Sequence, residues 1–358
     1  MVDDAVVMRR LISEALGSDP DIEVVGAAAH GQIALAKIPQ VNPDLITLDV
    51  EMPEMDGLAT LAAIRKVYPN LPVIMFSTLT ERGAAQTVDA LAAGATDYVT
   101  KPANVGSVTR SIECLQGQLI PKVKLYGRRY LTGGSSSPVG SAPLGRGALR
   151  PSLKQKIPEI VCIGTSTGGP NALAQVFADI PANLGVPVVI VQHMPVLFTK
   201  MLAERLHKLG SVSFSEAVDN ERVLPGKAYI APGGRHMEVL RIGTELRIRL
   251  SDLPPENSCR PAVDVLFRSV ATACGGAVVA VILTGMGQDG LHGCKMLREY
   301  GAQILAQDEA TSVVWGMPGY VAQAGLADQV LPLAEVAREI SRRVPKVKTA
   351  PISTALHI

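Results

Sequence analysis

Residues 160–170 read IVCIGTSTGGP, a short β-branched apolar run followed at once by a glycine-rich turn. The apolar run predicts a buried strand and the residues after the turn predict a helix, so Ser166 lies at a strand-to-helix junction. Two further apolar runs, 188–192 and 278–283, also end in polar loops. Buried runs that alternate with helical patterns are typical of a parallel α/β sheet. We therefore predict a doubly wound parallel α/β domain over residues 158–350.

The first hundred residues show the same alternation. Residues 44–50 and 71–76 are strand-like apolar runs, and residues 58–67 between them follow a helical period. Residues 1–119 are therefore predicted to form a separate α/β domain. Between the two domains, residues 120–157 are rich in Gly, Ser and Pro and sustain neither helical nor strand periodicity. We predict a linker there.

The overall charge argues against a dedicated nucleic-acid binder, because 34 basic side chains face 33 acidic ones. The charge is unevenly divided: residues 1–105 carry 7 basic and 14 acidic side chains, whereas residues 106–156 carry 9 and 1. The basic linker is either a solvated tether or a segment that docks on acidic surfaces. Five cysteines without paired spacing fit a reducing compartment, and the N-terminus lacks the pattern of a signal peptide. These features predict a cytoplasmic protein.

Acidic residues of the first domain suit a magnesium site. Asp3 and Asp4 are adjacent and Asp49 ends a strand-like run, so three carboxylates converge if the first pair also lies at a strand end. A carboxylate beside such a cation can accept a phosphoryl group, and the hydroxyl of Ser77 and the ammonium of Lys101 can stabilise the transferring oxygens. Taken singly, each of these side chains also fits an ordinary surface or helix-capping role.

The order and spacing of these residues closely resemble the receiver domain of two-component response regulators. The motifs that carry the resemblance are Asp3-Asp4, LDVEMPEMDG at 48–57, Ser77-Thr78 and YVTKP at 98–102. The resemblance implies a flavodoxin-like fold, phosphorylation of Asp49, Mg²⁺ held by Asp3, Asp4 and Asp49, a switch hydroxyl at Ser77, a switch aromatic at Tyr98, and contact of Lys101 with the phosphoryl group.

One feature departs from this pattern. Receivers begin with an apolar strand that ends at the acidic pair, whereas here only Met1-Val2 precede Asp3. That strand is central in the flavodoxin-like order 2-1-3-4-5, so its truncation is expected to leave a gap in the sheet. We favour an upstream start of the chain over a damaged receiver. About five upstream apolar residues, a usual strand length, are expected to raise stability and Mg²⁺-dependent phosphorylation.

In the second domain, Ser166, His193 and Asp289 each follow a predicted strand. The carboxyl ends of strands form the ligand crevice of an open α/β sheet, so the three side chains can meet there. Serine becomes a nucleophile when a histidine removes its proton, and the histidine needs an acid that fixes its tautomer. Singly, the three residues also fit a helix cap, a structural histidine and a turn aspartate, and His236 is the next candidate base.

The glycine pattern around Ser166 fits neither a phosphate loop nor a dinucleotide-binding fingerprint. The chain order Ser, His, Asp also differs from that of the α/β-hydrolases. Six segments instead resemble the chemotaxis-specific protein-glutamate methylesterase family: IGTSTGG at 163–169, QHMP at 192–195, residues 229–237, RPAVDVLF at 260–267, residues 283–290 and GMP at 316–318. Thr165 stands where a smaller alanine is expected in that family.

The resemblance implies hydrolysis of glutamate γ-methyl esters, and deamidation of glutamines, on chemoreceptors. Its site residues are Ser166 as nucleophile, His193 as base, Asp289 as orienting acid and Met286 near the oxyanion. It implies no cofactor for this chemistry, a chemotaxis histidine kinase as phosphodonor, and contact with membranes only through the receptors. It further implies that the receiver restrains the esterase until Asp49 is phosphorylated.

Two other functions remain compatible with the sequence. One is a non-catalytic signalling scaffold, whose receiver docks partners while the second domain only binds receptors. The other is a serine hydrolase of the same mechanism that acts on a different ester. Replacement of Ser166 by alanine separates an enzyme from a scaffold, and methanol release from methylated receptor separates the two esterase hypotheses.

Overall fold

A computed structural model describes residues 1–102, 107–131, 156–210 and 212–346 of the chain. Residue contacts divide the chain into two units, Met1–Arg150 and Pro151–Ile358. The division falls inside the predicted linker, of which residues 132–155 lie outside the described part. No described helix has both the length and the apolar character needed to cross a membrane.

The first unit alternates helices with parallel strands. Its elements are α1 (Val6–Gly17), α2 (Gly31–Val41), β1 (Ile46–Asp49), α3 (Gly57–Val67), β2 (Val73–Ser77), α4 (Glu81–Ala92), β3 (Asp97–Thr100) and α5 (Val108–Leu131). The strands form one parallel sheet in the order β1-β2-β3. Buried residues of the strands and of α3, including Leu48, Leu61 and Met75, pack into one core. The strands and the helix predicted between residues 44 and 76 are confirmed.

Met1 and Val2 occupy the place of the first receiver strand. Val2 forms isolated parallel bridges to both Ala28 and Leu48. Residues 22–28 carry a single β-bridge, at Ala28. A strand forms only where a neighbouring strand pairs with it, and Met1 and Val2 are too short to pair with the whole segment. A groove of about 420 Å³ continues from this point, and its wall includes Val25, Ile46 and Val123. The gap that the sequence predicts in the sheet is therefore present.

Helix α5 continues through residues 120–131, so the predicted start of the linker at residue 120 is wrong. In the sequence, Pro121, which removes a helical hydrogen bond, and the glycines that follow it favour a linker. In the structure, Lys122 Nζ lies 2.6 Å from Asp97 Oδ2, and Tyr126 donates to the same oxygen at 2.9 Å. These contacts with β3 stabilise the helix beyond its proline.

The second unit contains a larger parallel sheet. Its elements are β4 (Ile160–Thr165), α6 (Gly169–Asp179), β5 (Val188–Gln192), α7 (Phe198–Leu209), β6 (Ser213–Glu216), β7 (Lys227–Ile230), β8 (His236–Ile242), β9 (Glu245–Ser251), α8 (Val263–Cys274), β10 (Val278–Ile282), α9 (Leu291–Glu299), β11 (Gln303–Gln307), α10 (Met317–Gln323), β12 (Gln329–Leu331) and α11 (Leu333–Arg343). Seven strands are ordered β12-β11-β10-β4-β5-β7-β6, and β8 and β9 form an antiparallel hairpin. The doubly wound α/β domain is confirmed.

Strand β4 is the first strand of this unit and lies in the middle of its sheet. From β4 the chain runs to β5 and then to the edge strand β6, and β7 fills the place between them. The chain later returns to β10, on the other side of β4. The side chains of β4, β5 and β10 are buried along their whole length. The strand order thus reverses beside β4, and the carboxyl ends of these three strands form the crevice where such sheets bind ligands.

Candidate active sites

Ser166 lies in the turn between β4 and α6. Its backbone N–H donates to Thr284 O at 3.0 Å, and its carbonyl accepts from Gly169 N at 2.9 Å. Gly168 has φ +79°, a left-handed conformation that favours glycine. A Cβ on Gly285 would lie 2.9 Å from Ser166 Cβ, so only a glycine lets the loop after β10 pack this closely. The sharp turn predicted from the glycines is therefore held in place by a second strand end.

His193 follows β5, next to β4. The parallel register pairs Thr165 of β4 with Gln192 of β5. Ser166 and His193 directly follow this pair, so they lie at neighbouring strand ends. Gln192 Nε2 donates to Ser166 O at 2.9 Å and to His193 O at 3.2 Å, which joins the two strand ends. In the described part of the chain, no hydrogen bond links the Ser166 hydroxyl to His193. Such bonds are often long before substrate binds.

Asp289 contacts His193 directly, with 2.8 Å between Asp289 Oδ2 and His193 Nε2. The carboxylate is buried and also accepts hydrogen bonds from Val263 N (2.6 Å), Asp264 N (3.0 Å), Gly290 N (3.0 Å) and Asn257 Nδ2 (2.9 Å). Burial by itself would raise the pKa of Asp289, but His193 and the backbone amides together lower it. Asp289 is therefore ionised, and it holds a proton on Nε2 of the imidazole.

The nitrogen that remains for proton transfer is His193 Nδ1. It lies 3.5 Å from Cys259 Sγ. Burial lowers the pKa of His193, but the interactions with Asp289 and Cys259 outweigh burial and raise the pKa to about 9. Once His193 is neutral, an imidazole with this raised pKa is basic enough to take the proton of a serine hydroxyl.

The sequence motifs did not identify two residues that lie beside His193 and Asp289. Asn257 bridges two acids, because its Nδ2 donates to Asp289 at 2.9 Å and to Asp264 at 3.0 Å. Cys259 faces His193. Both lie in a loop that enters α8, directly before the 260–267 motif, and that position was the available signal. Their side chains reach the site only through the folding of this loop.

The other two candidates of this unit differ in role. His236 is buried; its Nδ1 accepts from Ala262 N at 3.2 Å and its Nε2 donates to Pro254 O at 3.0 Å. Both ring nitrogens are thus bonded to backbone groups, which makes His236 a structural histidine and not the next candidate base that the sequence suggested. Met286 is 41% exposed and follows Gly285, which packs against Ser166. Met286 therefore lies one residue from a close contact with Ser166, and its place near the oxyanion stays a prediction.

In the first unit, Asp3, Asp49 and Lys101 meet at the carboxyl end of β1. Lys101 Nζ lies 2.6 Å from Asp49 Oδ2 and 3.0 Å from Asp3 Oδ2. Burial raises the pKa of Asp49 to about 6, although the hydrogen bond from Lys101 opposes the shift. One oxygen from each of Asp3, Asp4 and Asp49 lies within 4.8 Å of the others. The three carboxylates thus converge as the sequence predicts.

This donor set fits Mg²⁺, which prefers carboxylate oxygens. Asp3 Oδ1 accepts a hydrogen bond from Ala5 N at 2.9 Å. Asp3 Oδ2 is buried and pairs with Lys101 Nζ at 3.0 Å, and it has no other hydrogen-bond partner among the described residues. Asp4 is exposed, so the cluster is open on one side. Asp3 Oδ2 and Asp49 Oδ2, which pair with Lys101 in this structure, are buried carboxylate oxygens of the kind that a cation would bind.

The two predicted switch residues lie on β2 and β3. Ser77 is buried at the end of β2, and its hydroxyl donates to Gly83 O in α4 at 3.0 Å. Tyr98 is half-buried in β3, and burial raises the pKa of its phenol well above its ordinary value. Lys122 Nζ lies 5.5 Å from the centre of the Tyr98 ring. The structure therefore brings Asp3, Asp49 and Lys101 together, whereas the Ser77 hydroxyl is bonded to α4.

Family models match both units of the chain. The model for the CheB methylesterase matches residues 161–340, and the model for the response regulator receiver domain matches residues 1–113. The two matches coincide with the two sites described above.

Curated relatives match nearly the full length. A protein of Trichodesmium erythraeum named protein-glutamate methylesterase/protein-glutamine glutaminase is 56% identical over 347 residues, which are 96% of this chain and 98% of the relative. A protein of the same name from a Nocardioides species is 52% identical over 97% of this chain and 95% of its own. Among solved structures, the CheB methylesterase catalytic domain of Thermotoga maritima is 41% identical, with a TM-score of 0.52, over 52% of this chain and 99% of that domain.

Proposed function

This chain belongs to the CheB methylesterase family, and we propose that it hydrolyses glutamate γ-methyl esters, and deamidates glutamines, on chemoreceptors during chemotactic adaptation. The observation that carries the proposal is the placement of Ser166, His193 and Asp289 at three adjacent strand ends, with Asp289 bonded to His193 Nε2 at 2.8 Å. Each role of a serine esterase is filled once, and His193 Nδ1 is the nitrogen turned away from the acid.

In the proposed mechanism, Ser166 Oγ attacks the ester carbonyl while its proton passes to His193 Nδ1. Asp289 holds the Nε2 proton and stabilises the imidazolium. Methanol, or ammonia from an amide, leaves with the proton from Nδ1, and water activated by His193 then hydrolyses the acyl-enzyme to glutamate. We place the oxyanion near Met286 and assign no cofactor to this chemistry.

We further propose that the receiver regulates this activity through phosphorylation of Asp49 by a chemotaxis histidine kinase. Asp3, Asp4 and Asp49 would hold Mg²⁺, which supplies positive charge for phosphoryl transfer when bound. Lys101, which already lies 2.6 Å from Asp49 Oδ2, would pair with the phosphoryl oxygens. Ser77 and Tyr98 would respond as switch residues, and the esterase would become more active.

The test measures methanol release from methylated chemoreceptor by the wild type, Ser166→Ala and Asp49→Asn, each with and without Mg²⁺ and a small-molecule phosphodonor. We expect Ser166→Ala to lose turnover by several orders of magnitude. We expect the phosphodonor to stimulate the wild type but not Asp49→Asn. Absence of turnover from folded wild type under every condition would favour the scaffold hypothesis. Hydrolysis of generic esters without release of methanol from the methylated receptor would favour a different substrate.

A further inference from the structure

The loop that enters α8 presents a thiol to the catalytic histidine. Glu256 and Cys259 exchange backbone hydrogen bonds, with Glu256 N to Cys259 O at 3.0 Å and Cys259 N to Glu256 O at 2.9 Å. Between them, Asn257 and Ser258 are left-handed, with φ of 51° and 61°. The Asn257 side chain is bonded to Asp289. Cys259 is thus held on a tight turn that is tied to the site, and its position is not that of a free surface side chain.

The distance between the two side chains matches a metal site. Tetrahedral zinc binds imidazole nitrogen at about 2.0–2.1 Å and thiolate sulfur at about 2.3 Å, so a nitrogen and a sulfur on the same ion lie about 3.5 Å apart. His193 Nδ1 and Cys259 Sγ are 3.5 Å apart. In the structure the two groups share a hydrogen bond, and the same separation lets both bind one zinc ion once the side chains rotate to point their lone pairs at it.

The surroundings of His193 also suit a metal ligand. A metal-bound histidine usually donates its other ring N–H to a carboxylate, which fixes the tautomer and orientation of the ring. Asp289 already accepts from Nε2 at 2.8 Å. One ligating atom from each of His193, Cys259 and Asp289 lies within 4.8 Å of the others. His193 and Cys259 are only partly buried, so water can complete the coordination shell.

We propose that His193 Nδ1 and Cys259 Sγ form a Zn²⁺ site that inhibits the esterase, with Asp289 holding the imidazole from its other nitrogen. Thiolate and imidazole prefer Zn²⁺ to Mg²⁺, whereas the carboxylates of the receiver prefer Mg²⁺, so the chain carries two chemically distinct metal sites. Zinc binding displaces the thiol proton and occupies the nitrogen that would accept the Ser166 proton. The inhibition rests on the proposed esterase function, but the binding does not.

The test uses the full chain in excess Mg²⁺, which fills the receiver carboxylates. Zn²⁺ affinity is measured by calorimetry, and Co²⁺ is used as a spectroscopic probe because a cysteine ligand gives it a thiolate-to-metal charge-transfer band. Cys259→Ser removes the proposed ligand with little change in size. Cys114→Ser is the matched control, because Cys114 is a partly exposed thiol of the other unit. Circular dichroism establishes that both variants are folded.

We expect the wild type and Cys114→Ser to bind one Zn²⁺ and to show the Co²⁺ band, and Cys259→Ser to lose the band and bind Zn²⁺ at least about tenfold more weakly. Zn²⁺ should lower turnover of the first two proteins by about a hundredfold, the scale of a general base, and a chelator should restore it. Cys259→Ser should keep most of its own turnover in Zn²⁺.

A wild type without the Co²⁺ band, or a folded Cys259→Ser variant that binds Zn²⁺ and is inhibited like the wild type, would overturn the proposal. If the chain shows no turnover even in the absence of Zn²⁺, the proposed function fails, and the Co²⁺ band still decides whether the site exists.

Discussion

Replacement of Asp289 by asparagine tests whether this acid sets the tautomer of His193. The substitution preserves size and removes one acceptor oxygen. If the new amide nitrogen takes the place of Oδ1, it meets three donors, namely Asp264 N, Gly290 N and Asn257 Nδ2. If it takes the place of Oδ2, it meets Val263 N and His193 Nε2. The second orientation is less costly, because the histidine can turn an acceptor toward the amide.

That accommodation moves the histidine proton from Nε2 to Nδ1. With Nδ1 protonated, His193 cannot accept the proton of Ser166, so the chemical step loses its base. The same change of tautomer in a serine protease triad lowers kcat by about 10⁴-fold, and we expect a loss of about 10³- to 10⁴-fold here. The amide of Val263, 2.6 Å from Oδ2, would be left facing a second donor. A buried donor without an acceptor costs about 1–3 kcal/mol in the free energy of unfolding.

Asp264→Asn is the matched control. Asp264 is fully buried, burial raises its pKa, and it accepts hydrogen bonds from Gly293 N at 2.6 Å and Asn257 Nδ2 at 3.0 Å. This variant removes a buried acid from the same cluster, but one whose hydrogen bonds are to Gly293 and Asn257 and not to His193. We expect a comparable loss of stability and a fall in turnover of less than about tenfold.

The assay combines methanol release at saturating receptor with the urea midpoint of each variant. Turnover of folded Asp289→Asn within tenfold of the wild type would refute the tautomer argument. An equally large loss in Asp264→Asn would also refute it, because disruption of the cluster would then explain both variants.

Further predictions concern the N-terminus, the end of α5 and the pH dependence of the esterase. An N-terminal extension of about five apolar residues should fill the groove beside Met1 and raise the free energy of unfolding of the receiver by about 1–3 kcal/mol. It should also raise Mg²⁺-dependent phosphorylation. A Gly/Ser extension of equal length is the control, and equal urea midpoints of the two proteins would contradict the prediction. Lys122→Met should destabilise the receiver by about 1–3 kcal/mol in urea unfolding, since it removes the 2.6 Å ion pair of buried Asp97; an unchanged midpoint would show that the extended part of α5 does not depend on this pair. The kcat/KM for methanol release should rise with pH toward about 9, because His193 must be neutral to act as base. Cys259→Ala should shift this acidic limb to lower pH, because the thiol contributes to the raised pKa, and a limb that stays in place or moves upward would contradict that assignment.

The strands and the candidate residues could be predicted from sequence because their signals are local. An apolar run of five or six residues before a glycine-rich or polar loop, as at Ser166 and His193, marks a strand end whatever its neighbours are. The convergence of Asp3, Asp49 and Lys101 was likewise predictable from the order of motifs. The helix beyond Pro121 was not, because Asp97, which stabilises it, lies in a different strand and leaves no periodic pattern near the proline.

The sequence by itself determined the two α/β domains, the order of the strand-end motifs and the residues that supply a nucleophile, a base and an acid. These depend on hydrophobic periodicity and glycine-rich turns, which act over a few residues. Only the tertiary structure decided that Nε2 of His193 faces Asp289, that Nδ1 faces Cys259, and that Asn257 joins two buried acids. The contacts of His193 with Asp289 and Cys259, and of Asn257 with Asp289, link segments far apart in the chain. Their geometry follows from how the loop before α8 packs against the ends of β5 and β10.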